Sequence, residues 1–443
     1  MKPRKNGYLK TVQYGLLLAK TDRKLDEDLG CVTFGMAKPE LNSNATLAGD
    51  ISTRTSALVL DGPSALALYR DRDDLRASLK PHDDSVDFAI KIDKDSEDFW
   101  LSDEDLAATL SGASIFGSLA MTEDKERIVA QEEGLPQLTR SSMARMRDAA
   151  TRSRDLKKIS YESLGMRPPA EDSPLYLLVP KTERRRVVRH VRQRLCGTAM
   201  PAHSFMRLGD QVYVPTPELT FLLMAHYLGL CELVMLGMEL CGHYRLVAAP
   251  TQRVLASNRT LYGQAPLTNP QRIFALLEGA QGMTGLPLAR RALGYVAAGS
   301  ASPMETALYL LLCLPKKLGG YGLPIPQLNA RKRVTARAGS LVLSKTLVPD
   351  LFWPSSRLDL EYDSEEFHAS TDALQKGARR ALALRAMGVE VVSVTKDVVY
   401  DEDAFDALAR IVAKAVGVRV RKQTQSAELQ RGHLRGVALF GEQ

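Results

Sequence analysis

Residues 348–368 read VPDLFWPSSRLDLEYDSEEFH, and the way this stretch folds decides the architecture of the C-terminal third of the chain. Pro354, Ser355, Ser356 and Arg357 make a turn, and Leu358-Asp-Leu-Glu-Tyr-Asp363 alternates apolar with polar residues, as a half-buried strand does. The spacing predicts a β-hairpin in which Trp353 faces Leu358 and Asp350 faces Glu361, with Cβ atoms about 5 Å apart. Side chains two apart share a face. Asp350, Asp359, Glu361 and Asp363 therefore project from one side, and Leu351, Trp353, Leu358, Leu360 and Tyr362 from the other. Phe352 is the misfit on the acidic side. Like charges directly opposite each other destabilise a sheet. The acidic side is thus either a strand surface left in water or a place that holds a cation. Hard divalent ions such as Mg²⁺ take carboxylate oxygens.

Outward from the hairpin, the segments on both sides have regular signals. Ser302, Pro303 and Glu305 spell a capping-box start for an apolar helix, with the Glu305 carboxylate reaching back to the Ser302 amide. Residues 370–387 read as a helix stopped by Gly388, then 389–395 as a β-branched strand and 401–416 as a second helix. The order helix, strand, hairpin, helix, strand, helix from 302 to 416 specifies an α/β domain. A basic tail, 418–443, follows it.

The middle of the chain is basic. Residues 181–194 carry seven Lys/Arg (among them Arg184, Arg185, Arg186, Arg189 and Arg192), enough to neutralise several backbone phosphates. On a helix, Arg185, Arg189 and Arg192 would share a face; otherwise the run is a solvated helix or strand edge. A short apolar strand, 175–179, precedes it. After it come a β-segment at 211–214 and a helix opened by Thr216, Pro217 and Glu218. His226, Cys231, Cys241 and His243 match no zinc spacing and sit in an apolar segment, so core packing is expected. Two further helices, 270–279 and 286–298, connect to the hairpin domain. The expected division is 1–150 of unreadable fold, a mixed α+β DNA-docking middle at 151–265, a helical connection at 266–300, the α/β domain at 301–417 and the tail.

At 443 residues the chain has length for two or three domains, and its net charge of +7 permits a polyanionic partner. The five cysteines lie far apart without a CxxC pair, which argues against a disulfide framework and for a reducing interior. The apolar run 219–240 is broken by His226, Glu232 and Glu239, so no membrane association and a cytoplasmic location are expected.

Taken together, Ser302 and Glu305, Asp350, Glu361-Tyr-Asp363, His368 and Leu384-x-x-x-Gly388 before a Val-rich strand resemble the PD-(D/E)XK nuclease superfamily. Within it they resemble the very-short-patch-repair endonuclease-like domain, over about 115 residues. The resemblance implies a restriction-endonuclease-like fold, a mixed central sheet flanked by helices. It also implies Asp350, Glu361 and Glu305 as ligands of Mg²⁺ or Mn²⁺, with Asp363 where the superfamily often has lysine and His368 as a proton-transfer or phosphate-facing group. Arg380, four residues before Leu384, is kept as a further nucleic-acid contact. Ser364, Gly377 and Ser393 depart from the family's glycine, acid and arginine, the pattern of a degenerate site. Residues 175–225 are similar to the segment that follows the winged helix in the abortive-infection type IV antitoxin family. The expected function is a metal-dependent DNA endonuclease or its degenerate descendant, in phage defence, toxin–antitoxin or repair. The alternatives are a non-catalytic, DNA-binding transcriptional regulator of antitoxin type and an interaction scaffold.

Overall fold

The computed structural model describes residues 58–72, 75, 156–157, 159–164, 166–179, 187–196, 200–201, 204–208, 212–248, 257–363, 371–420 and 425–440. All of them belong to one compact unit, Thr55–Gln443. The first half runs β1 (Leu58–Val59), α1 (Gly62–Asp71), β2 (Leu175–Val179), β3 (Val191–Leu195), β4 (Phe205–Leu208), β5 (Val212–Pro215), α2 (Pro217–Met224), α3 (Leu230–Leu240), β6 (Tyr244–Ala248) and β7 (Ser257–Tyr262). Then follow α4 (Pro270–Gly279), α5 (Leu286–Leu293), α6 (Pro303–Cys313), β8 (Gln327–Leu328), β9 (Lys332–Arg333), β10 (Thr346–Leu347), β11 (Leu351–Trp353) and β12 (Leu358–Asp363). The chain continues through α7 (Thr371–Ala386), β13 (Glu390–Thr395), α8 (Lys396–Tyr400), α9 (Glu402–Ala415) and α10 (Gln425–Phe440). The protein is thus mixed α/β, with several small sheets. Among the described residues no helix is long and apolar enough to cross a membrane.

The hairpin forms in the register its alternation dictates, Trp353 opposite Leu358 and Leu351 opposite Leu360. It is the centre of a four-stranded sheet ordered β13–β12–β11–β8, in which β12 and β13 are parallel and the other pairs antiparallel. Parallel neighbours need a crossover, and α7 supplies it. Gly388 (φ +78°) ends that turn: the Val389 N–H reaches the Leu384 carbonyl at 3.0 Å and the Gly388 N–H the Arg385 carbonyl at 2.9 Å, a Schellman cap.

Both faces of this sheet carry a core, although the acidic face opens to solvent at Ser393 and Thr395 of β13. Leu351, Trp353, Leu358 and Leu360 point into the main core, where burying each contributes roughly 2 kcal/mol. On the acidic side Phe352 packs with Ala338, Leu347, Ala383, Leu384 and Val389 in a second, smaller core. A strand whose acidic side lies in water is therefore not what forms: Asp359 has no exposed surface at all.

In the front half, β5 lies between β1 and β4, and β2 pairs parallel with β3. Thr216 caps α2 as its sequence requires, accepting the Leu219 N–H at 3.4 Å. Two expectations change here. Arg189 lies in a turn and Arg192 on β3, so the basic run does not present them on a helical face, although both are exposed. Cys231 and Cys241 are buried as expected, but His226 and His243 are exposed rather than core.

One main core runs from Val59 to Leu439. Its last members correct the expected tail. Within 418–443, residues 425–440 form α10, which buries Leu434, Ala438 and Leu439. Arg431 stacks over the Tyr321 ring at 3.8 Å and pairs with Asp406 at 3.2 Å. Arg435 is buried and donates to the Val399 and Tyr400 carbonyls at 2.9 Å each.

Candidate active site

The hairpin register carries Asp350, one residue before β11, to the place opposite Glu361. Its Oδ2 accepts the Tyr362 N–H at 2.9 Å, and its carbonyl accepts the Asn329 N–H at 3.0 Å. From the other side comes the start of α6. Ser302 caps it, accepting the Glu305 N–H at 3.1 Å. The Glu305 carboxylate reaches back one residue further than the capping box predicts, to the Ala301 N–H at 2.8 Å, and takes Asn329 Nδ2 at 2.5 Å. From α7, Arg380 reaches in: its Nη2 lies 2.8 Å from Glu361 Oε1 and 3.6 Å from Asp350 Oδ1, and it also donates to the Val348 carbonyl.

Four carboxylates and one guanidinium thus share a largely dehydrated space. Burial pushes the Asp350 carboxyl up to about 7, and the neighbouring Glu305 and Glu361 charges push the same way; Arg380 and the Tyr362 N–H oppose them only in part. Glu305 is raised too, by burial, against the pull of its amide and Asn329 bonds. Asp359 goes furthest above the usual carboxylate range, through burial first and then Glu361 and Asp350. Neither of its oxygens meets a donor. An ionised carboxylate only accepts, so two adjacent ones cannot bond each other. Burial and the neighbouring acids both favour a proton on Asp359, which would let it bond Glu361.

Would these donors hold a divalent ion? Among the described residues no set of three or more His, Cys, Asp and Glu side chains stands ready-made as a metal cage. The reason is visible: Arg380 sits on the Asp350–Glu361 pair, and one Glu305 oxygen is committed to its helix start. The donor chemistry nevertheless fits, because hard cations take carboxylate oxygens and the pocket has more buried acid than one arginine neutralises. Asp350 and Glu361 are the carboxylates that would open to a cation if Arg380, whose side chain is 34% exposed, withdrew.

The other expected residues are spread out. Asp363 ends β12 in register with Thr395, half-buried. His368 and Arg184, Arg185 and Arg186 lie outside the described residues. Arg189 and Arg192 are on the turn before β3 and on β3 itself, and Arg380, expected against nucleic acid, has its guanidinium on the acids. Two participants were not singled out from the sequence. The burial of Asp359 depends on what covers the sheet, although its parity with Glu361 was visible. Asn329, in the left-handed region at φ +49°, ties Glu305 to Asp350 and had no local signal.

Comparison with family models, curated proteins and solved structures finds no match to this chain.

Proposed function

We propose that the segment from α6 to β13 is a PD-(D/E)XK-type, metal-dependent DNA endonuclease site that hydrolyses phosphodiester bonds. One observation carries the reading: Asp350 and Glu361 meet across the hairpin in a covered pocket, with Glu305 close enough to raise the Asp350 proton affinity. The succession α6, β8, β11, β12, α7, β13, with the last two strands parallel, agrees with the resemblance noted in the sequence. Asp350 and Glu361 would hold Mg²⁺ or Mn²⁺. Such an ion supplies a Lewis acid for the scissile phosphate and a water acidic enough to attack it. Glu305, pinned by Ala301 and Asn329, adds negative charge behind the pair. Arg380 neutralises the pair until a cation takes its place, and then is free to meet the phosphate.

Plasmid nicking in Mg²⁺ or Mn²⁺ tests this. Wild type is expected to nick, and Asp350→Asn and Glu361→Gln to lose at least about a hundredfold, the scale of removing one transition-state-stabilising group. Equal nicking by Asp350→Asn, or none by wild type on any DNA form, overturns the reading. The second reading, a DNA-binding regulator on a degenerate nuclease fold, is favoured by Arg380 already occupying the cation's position. It predicts duplex binding indifferent to metal.

A further inference from the structure

Between Glu305 and Asp350 the chain has no acidic residue and seven Lys/Arg: Lys316, Lys317, Arg331, Lys332, Arg333, Arg337 and Lys345. Five of them lie in the excursion 329–349, which leaves the sheet after β8 and returns at Asp350. Both of its ends are fastened at the acidic pocket, by the Asn329 N–H on the Asp350 carbonyl at 3.0 Å and by Arg380 on the Val348 carbonyl. Its stem is the antiparallel pair β9–β10, Arg333 opposite Thr346 and Lys332 opposite Leu347. Residues directly opposite share a face and those two apart do too. One face of the stem is therefore Lys332 with Leu347. Lys332 Nζ sits 4.6 Å from the Phe352 ring and Leu347 is buried, so this face looks inward. The other face, Arg331 with Arg333, looks out.

The loop beyond the stem is fastened as well, since Ala338 has no exposed surface and packs in the small core with Ala383 and Leu384 of α7. Arg331, Arg333, Arg337 and Lys345 are exposed, and none has an ion-pair partner among the described residues. Four cations that have no ion-pair partner among the described residues, on an anchored element beside a pocket of concentrated negative charge, are not a fold requirement: like charges brought together on one short element cost stability.

We infer that the excursion 329–349 is a phosphate-backbone clamp that holds duplex DNA against the acidic pocket through Arg331, Arg333, Arg337 and Lys345. The inference goes beyond the proposed nuclease chemistry and rests on it only for the choice of DNA. The acids would repel a polyanion, and this cationic surface, tied to the same pocket, offsets that repulsion at the edge where a strand must approach. It differs from the basic run 181–194, which is joined to β3 in the front half.

Fluorescence anisotropy on a short duplex in EDTA, where no cleavage occurs, tests it. Neutralising all four (R331Q, R333Q, R337Q, K345Q) is expected to weaken binding at least about tenfold at 0.1 M salt. The slope of log K against log salt should become shallower by about 0.9 for each side chain that touches a phosphate. Reversing two charges (R331E, R333E) should act more strongly still. As a control, R410Q with K414Q removes charge from another basic surface, beside Gly417, and should leave binding within about twofold. All these side chains are exposed, and thermal melting checks that each variant folds. Unchanged affinity and slope in the fourfold variant, or an equal loss in the control, overturns the clamp. Tighter binding of an RNA of the same length overturns duplex DNA as its partner. Loss of nicking in Asp350→Asn with duplex binding retained keeps the catalytic reading separate from this one.

Discussion

Replacing Arg380 by glutamine should make the pocket a better divalent-cation site. In the protein without metal, the Arg380 guanidinium holds Glu361 Oε1 at 2.8 Å and lies 3.6 Å from Asp350 Oδ1, so a cation reaches the pair only by displacing it. A partly exposed ion pair of that kind contributes up to about 1 kcal/mol. At about 1.4 kcal/mol per decade, its removal corresponds to roughly fivefold tighter Mn²⁺. Titration calorimetry with Mn²⁺ measures this. It is best run at pH 8, above the value near 7 to which Asp350 is pushed, so that protons do not compete for the same oxygens. Arg380→Lys retains the positive charge and should stay within about threefold of wild type, which separates loss of charge from loss of side-chain bulk. Glutamine binding no tighter than wild type, with both proteins binding, refutes the displacement reasoning and leaves Arg380 as a plain structural ion pair. Failure of both to bind Mn²⁺ removes the metal role of Asp350 and Glu361 altogether.

Two further predictions concern ion pairs elsewhere in the fold. Arg70 and Glu239 form a two-bond ion pair, 3.0 and 2.5 Å, with both side chains at most 5% exposed, and Glu239 also accepts the Leu246 N–H. Arg70→Met alone leaves a buried anion and should cost about 3–5 kcal/mol in urea unfolding, while Arg70→Met with Glu239→Leu should cost clearly less than the sum of the two single changes; additive losses would show the pair is not coupled. Asp406 is affected by burial, which raises its pKa, but bonds from Tyr321 and Arg410 and the charge of Arg431 prevail and hold it below the ordinary value of 3.8. A depressed carboxyl contributes stability above 3.8 that is lost as pH falls through its folded value. Asp406→Asn should therefore lower the melting temperature at pH 7 and have little effect at pH 2, and a loss of equal size at both would show that charge is not what docks α10 there.

Why was the hairpin readable and its environment not? The turn at 354–357 and the alternation from Leu358 to Asp363 are local, and a one-residue slip would turn every apolar side chain to the wrong face; hence Trp353 meets Leu358 and Asp350 comes opposite Glu361. The caps at Thr216 and Ser302 and the stop at Gly388 are local for the same reason. Phe352, the apparent misfit on the acidic side, was the one trace of something non-local. It fits because Ala338, Leu347, Ala383 and Leu384, from two other segments, close over that face.

Other features had only ambiguous local signals. In 181–194, helix and strand were equally compatible with the basic spacing, and β3 forms because β2 offers it a parallel partner. The segment 425–440 reads as a charged tail until Leu434, Ala438 and Leu439 find the core. A two-residue strand such as β8 has no period to read.

By itself the sequence determined the register of the hairpin, the ends of the helices around it and therefore which acids lie on one side, because turns, caps and strict alternation act between residues a few positions apart. Only the tertiary structure decided that this side is buried, that Asp359 stands there without a donor, and that Arg380 rather than water neutralises Asp350 and Glu361. Burial and charge pairing depend on which distant segments pack together, and it is the loss of water there that turns a row of acids into a site.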